Sequence, residues 1–133
     1  IVQMEKRMRK MEALKRELPE PELFGDKNPD ILFVGWGSTK GPMLDALRAL
    51  SFRLKALGLG YLHYTYLWPL RTERFSKLAS KAQKIVLVEG NIQGQLGMLL
   101  AQESGMIIKN KILKYDGRPF FVDELKKLIM DNG

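Results

Sequence analysis

The sequence predicts a single α/β domain: a mainly parallel sheet sandwiched between helices. Three observations predict it. Apolar runs of strand length alternate with leucine repeats at helical spacing, and short, glycine-bearing turns separate them. The chain has 133 residues, enough for one hydrophobic core, and its apolar content of 45% is that of a folded protein. Strand–helix–strand units with short turns make βαβ crossovers, and crossovers make parallel neighbours. The class is therefore Rossmann-like, and no internal repeat or low-complexity stretch interrupts it.

The elements follow in order. Met4, Met8, Met11, Leu14 and Leu18 recur at helical spacing among charged residues, which predicts an amphipathic helix. Pro19 and Pro21 forbid its continuation. Residues 19–29, with Gly25, Asp26 and Asn28, read as a linker. Residues 1–29 are thus expected to be a helix and proline-rich linker, and residues 30–133 the α/β domain. Such a helix docks on its own domain, on another domain or on a partner chain. Its methionine stripe is also a candidate dimer face.

Ile31-Leu32-Phe33-Val34-Gly35-Trp36 is a nearly continuous apolar run, as expected for a strand covered on both faces. After a glycine-rich turn, Leu44, Leu47, Leu50, Leu54 and Leu57 mark a helix over 42–57 that Gly58 ends. Residues 61–66 form a second strand, closed by the Trp68-Pro69 break. Residues 72–82 form a shorter helix with Phe75, Leu78 and Ala79 apolar and Thr72 as its cap. Lys84-Ile85-Val86-Leu87-Val88-Glu89 is the clearest strand. A helix over about 94–103 follows, then one strand or two short ones over 107–113. Asp123 caps a last helix carrying Leu125, Leu128 and Ile129.

Composition excludes several chemistries. With no cysteine, the chain supplies no disulfide, thiol nucleophile, thiolate zinc site or iron–sulfur ligand. The one histidine, His63, has a face of its own in an alternating run and reads as a structural residue. No apolar run reaches the roughly 18 residues of a membrane span, and the start lacks the apolar stretch of a signal peptide. A cytoplasmic location and no membrane partner are expected. The net charge of +7 raises the question of nucleic acid. Yet the excess lies in the first helix (Lys6, Arg7, Arg9, Lys10, Lys15, Arg16) and at scattered positions such as Arg71, Arg74, Lys77 and Lys81. Neither a stacking motif nor a recognition helix accompanies it. A basic face for an acidic partner subunit or an anionic ligand fits equally well.

Ligands and interfaces of open α/β sheets gather at the carboxyl ends of strands, and two turns there are specialised. The first is Gly35-Trp36-Gly37-Ser38-Thr39-Lys40-Gly41. Ser38 or Thr39 can cap the next helix, and the turn could hold a phosphate or carboxylate with Lys40 adding charge. Its glycine spacing fits neither a Walker loop nor the dinucleotide fingerprint. The second is Glu89-Gly90-Asn91-Ile92-Gln93-Gly94-Gln95. Glu89, Asn91, Gln93 and Gln95 need partners so close to an apolar strand, and a network or interface is expected ahead of catalysis. A third segment, Tyr115-Asp116-Gly117-Arg118-Pro119-Phe120, combines a turn with Arg118, a candidate partner for a carboxylate or phosphate.

Together, in this order and spacing, the three segments resemble the C-terminal domain of the α subunit of 2-oxoacid:ferredoxin oxidoreductases. The basic helix and proline linker resemble the same subunit just before that domain. The resemblance implies the fold of the transketolase C-terminal domain, a three-layer α/β/α sandwich with one antiparallel strand at an edge. It implies membership of a complex that converts a 2-oxoacid and coenzyme A to acyl-CoA and carbon dioxide while reducing ferredoxin. Thiamine diphosphate, magnesium and iron–sulfur clusters carry that chemistry, and none is expected to be bound by this chain. The implied role is assembly with the β subunit and other subunits, and with ferredoxin through the complex. No catalytic or metal-ligating residue is carried over, and no activity is expected of the chain alone. Starting without Met inside a helical pattern, the chain is expected to be part of a longer protein. A contrasting expectation is a freestanding anion- or nucleotide-binding module that uses Ser38, Thr39, Lys40 and the Asn91, Gln93 and Gln95 amides.

Overall fold

The computed structural model describes residues 2–53, 57–89 and 95–113. Helix α1 spans Val2–Glu17, strand β1 Glu22–Gly25 and strand β2 Ile31–Trp36. A 3-10 turn, Gly37–Thr39, runs straight into α2, Lys40–Arg53. Then come β3 (Leu59–Tyr64), α3 (Glu73–Lys81), β4 (Lys84–Glu89), α4 (Gln95–Ser104) and β5 (Asn110–Leu113). Among the described residues no helix is long and apolar enough to cross a membrane.

The five strands form one sheet in the order β1-β3-β2-β4-β5, parallel except for β1. From β2 the chain steps outward to β3 through α2. It then returns past β2 to β4 through α3 and continues to β5 through α4. Right-handed crossovers in opposite directions put their helices on opposite faces. Accordingly, Met43, Leu47 and Leu50 of α2 pack with Phe33, Tyr61 and Val86 on one face. Phe75 of α3 and Leu96 and Leu100 of α4 pack with Leu32, Val34, Leu62 and Leu87 on the other. Both faces of β2 are covered, which is why its sequence is an unbroken apolar run. The reversal of direction between β2 and β4 is the topological switch point of the sheet.

Residues 22–25, within the segment read as a linker, form the edge strand β1, paired antiparallel to β3 with Leu23 opposite Leu62 and Phe24 opposite Tyr61. The physical reason is burial: Leu23 packs into the α3 face and Phe24 into the α2 face. Side chains then fasten the approach to the strand. The Arg71 guanidinium donates to the Leu18 carbonyl (2.8 Å) and lies 3.6 Å from both Glu20 and Glu73. Arg74 donates to the Pro21 carbonyl at 2.9 Å.

Other differences are smaller. The second strand begins at Leu59, two residues before the expected start, because Gly60 lies in the sheet opposite Gly25. The last described strand is short, Asn110–Leu113; Ile107 before it stays 75% exposed, while Ile108 and Ile112 turn into the core. Thr72 precedes α3 without a side-chain cap, since its backbone is not extended. The expected helix at 123–129 and the turn bearing Arg118 lie outside the described residues.

Candidate functional site at the strand ends

The carboxyl ends of β2, β3 and β4 are joined by a chain of buried and half-buried polar contacts. Period-two alternation puts Tyr61 and His63 on the same face of β3. His63 Nδ1 lies 2.7 Å from the Tyr61 hydroxyl, which lies 3.1 Å from Thr39 Oγ1. The Thr39 hydroxyl donates to the Trp36 carbonyl at 3.0 Å. Two hydroxyl protons and the His63 ring serve these three contacts: where Thr39 gives its proton to the Trp36 carbonyl, Tyr61 donates to Thr39 and His63 Nδ1–H donates to Tyr61. On the other face the Trp36 indole N–H donates to Glu89 Oε1 at 2.6 Å, and the same oxygen accepts the Leu96 backbone N–H at 2.8 Å. Glu89 is fully buried, and its carboxylate stands at the N-terminus of α4, where the helix dipole favours it.

Gly35 is what lets these groups meet. A Cβ there would fall 2.8 Å from the Val88 carbonyl, 2.9 Å from the Tyr61 hydroxyl and 3.0 Å from Thr39 Oγ1. The glycine of this turn thus serves a close approach between strands.

Electrostatics follow from burial. Burial raises the Tyr61 phenol well above its ordinary value, with the Thr39 contact opposing. Tyr64 is raised by burial and by the Glu73 and Glu20 carboxylates. Burial lowers the His63 pKa, the Lys40 cation lowers it further, and Glu22 opposes. With its folded pKa below the unfolded value of about 6.5, His63 contributes stability that is fully present above that pH and lost as pH falls below it. Urea midpoints measured on both sides of pH ~6.5 are expected to show this decline in the native chain and a smaller one in His63→Gln.

The candidate residues fall into four groups. Gly35, Trp36, Thr39 and Glu89 are brought together in the network. Gly37 (φ 67°), Ser38 and Gln95 are exposed and outside it. The Lys40 ammonium lies 5.1 Å from the centre of the Phe24 ring, a cation–π contact. Asn91, Gln93 and Arg118 lie outside the described residues. The expected cap by Thr39 does not form. The 3-10 turn carries this residue into the helix entrance and turns its hydroxyl inward. The local signal for Tyr61 and His63 is their i, i+2 spacing, which sets both on one face of β3.

A second feature is an apolar groove of about 350 Å³ between α1 and the 68–70 segment, lined by Met8, Met11, Trp68, Pro69 and Leu70 with charged residues at its rim. Met8 and Trp68 are each 66% exposed.

No family model matches the chain. Among curated proteins it is 37% identical over 138 aligned positions to the alpha subunit of 2-oxoacid:ferredoxin oxidoreductase 1 of Aeropyrum pernix, covering 98% of this chain and 21% of that protein. It is 35% identical to the corresponding subunit of Sulfurisphaera tokodaii, covering 95% and 20%. The chain thus spans about a fifth of the length of the curated relatives it matches. Among solved structures, the alpha chain of a probable 2-oxoacid ferredoxin oxidoreductase from Thermoplasma acidophilum is 35% identical with a TM-score of 0.57, over 85% of this chain and 96% of that one. The 2-oxoglutarate:ferredoxin oxidoreductase of Magnetococcus marinus, solved with 2-oxoglutarate, coenzyme A and succinyl-CoA bound, has the same fold. Its TM-score is 0.84 at 23% identity, over 98% of this chain and 22% of that one. A split-gene transketolase, an inactive beta4 tetramer, shares the fold at a TM-score of 0.63 and 15% identity, over 83% of this chain and 40% of that one. The three-layer, transketolase-like architecture and the resemblance drawn from the three turn motifs are both borne out. The chain belongs to the alpha-subunit family of the 2-oxoacid:ferredoxin oxidoreductases.

Proposed function

We propose that this chain is the C-terminal domain of the α subunit of a cytoplasmic, thiamine-diphosphate-dependent 2-oxoacid:ferredoxin oxidoreductase, and that it serves assembly. The parent reaction takes a 2-oxoacid, coenzyme A and oxidised ferredoxin to acyl-CoA, carbon dioxide and reduced ferredoxin. The observation that carries the assembly reading is the apolar groove with Met8 and Trp68 exposed at its edge. Trp and Met are enriched at protein interfaces, and large apolar side chains grouped on a surface mark contact sites. Groove and methionine helix are where a domain that packs on others needs apolar surface. The partners would be other domains of the subunit, the β subunit and, through the complex, ferredoxin. In the isolated chain the same surface is a candidate dimer face.

The residues present do not fit the parent enzyme's redox centres. The chain has no cysteine to ligate a cluster, and among the described residues no three of His, Cys, Asp and Glu gather as metal ligands. The reading of a freestanding anion site is weakened by groups already committed. The Thr39 hydroxyl is engaged by the Trp36 carbonyl and the Tyr61 hydroxyl, and Glu89 holds the α4 N-terminus. Capture of the tagged chain from cells of its own source, read by mass spectrometry, tests the proposal. Recovery of a thiamine-diphosphate-binding subunit in stoichiometric amount is expected; recovery of the chain alone or with nucleic acid contradicts it.

A further inference from the structure

Strand β1 is the outer strand of the sheet, and its register decides which backbone groups face away from β3. The Asp26 N–H bonds the Leu59 carbonyl at 3.0 Å, so residues 26 and 59 form a hydrogen-bonded pair. Bonded pairs alternate along antiparallel strands. Glu22 and Phe24 therefore turn their backbone groups toward β3, and Leu23 and Gly25 turn theirs outward. Among the described residues nothing bonds these outward groups. Leu23 and Gly25 also line a groove of about 430 Å³ between β1 and α3, with Leu78 apolar and Lys27, Arg74, Lys77 and Lys81 supplying four cations. No carboxylate is among the lining residues. Glu22, one residue away, projects to the opposite face of the sheet.

Lys77 and Lys81 stand one helical turn apart and repel each other, and among the described residues neither forms an ion pair. Lysines that only guard a sheet edge belong on the strand itself. Here the strand is Glu-Leu-Phe-Gly, and three of the cations stand on the helix beside it. Such a groove repels basic segments, a second copy of this edge included, and attracts acidic ones. The spacing also matches. Alternate side chains of a strand lie about 6.8 Å apart on one face, and Lys77 and Lys81 are separated by a rise of about 6 Å.

We propose that the groove between β1 and α3 docks an acidic, extended segment of a partner chain, which adds a strand beside Leu23 and Gly25 and sets alternate carboxylates against Lys77 and Lys81. This site is separate from the apolar groove, so it does not depend on the assembly reading. A fluorescent octapeptide of alternating Val and Glu tests it by anisotropy with the 133-residue chain. Two companion peptides carry N-methyl groups on either the Val or the Glu amides, and an octamer of single-stranded RNA serves as the polyanion control. The unmodified peptide is expected to bind, more weakly as salt rises. One N-methylated phase should lose at least about tenfold and the other should bind nearly as before, because only one edge of the peptide meets β1. The exposed-residue variant K77E/K81E, its fold checked by circular dichroism, should bind at least about tenfold more weakly. Failure of the unmodified peptide to bind, equal binding of all three peptides, or tighter binding of the RNA would each overturn the proposal.

Discussion

Replacing Glu89 with Ala is expected to lower the unfolding free energy by about 3–5 kcal/mol, because a buried amide and a half-buried indole lose their shared acceptor. The Trp36 indole and the Leu96 amide both end on Oε1, from an element 53 residues away and from the next helix. Each orphaned donor costs about 1–3 kcal/mol, and the truncated side chain leaves a void in the core. Glu89→Gln keeps an acceptor oxygen for both donors and should cost about 1 kcal/mol. Urea unfolding of the two variants separates these values. Equal, small losses for both would mean that the carboxylate does not tie the strand ends together.

The second large effect is expected for Gly35→Ala. Its methyl group would meet the Val88 carbonyl, a backbone atom that cannot swing aside, as well as the Tyr61 and Thr39 hydroxyls. Either β2 and β4 separate locally or the hydroxyl chain breaks, and a loss of about 2–4 kcal/mol follows. Gly37→Ala provides a contrast: its added Cβ meets nothing within 4 Å, and only the positive φ opposes it. That variant should lose no more than about 1–2 kcal/mol. A reversed order of the two losses in chemical denaturation would contradict the packing described at the turn.

Local signals carried most of the fold. Strands β2 and β4 were legible because a strand buried on both faces must be apolar throughout, and α2 and α3 because their apolar residues recur every three or four positions. Strand β1 was hidden by its flanks. Four residues between Pro21 and Asp26 hold only Leu23 and Phe24 as a pattern, and their significance comes from pairing with Tyr61 and Leu62, far along the chain. The site divides the same way. Glu89 stands out as a carboxylate ending an apolar strand, but its partner Trp36 is set by sheet order, which no local pattern encodes. Thr39 fits a helix cap by composition; a single 3-10 turn redirected it to Tyr61. His63 fits a structural residue by its place in an alternating run, and its contact with Tyr61 depends on the alternation of that one strand.

The proposed packing of this domain within a larger oxidoreductase runs through the groove between α1 and the 68–70 segment. Native mass spectrometry of the intact α subunit purified with its partners, compared with the M8D/W68D variant, tests it most directly. Both positions are 66% exposed in the isolated chain, so the substitutions should leave the domain's own fold unchanged by circular dichroism. The native subunit is expected in complex with a thiamine-diphosphate-binding partner, and the folded variant is expected to lose most of that complex. A folded variant that assembles as fully as the native subunit would contradict it.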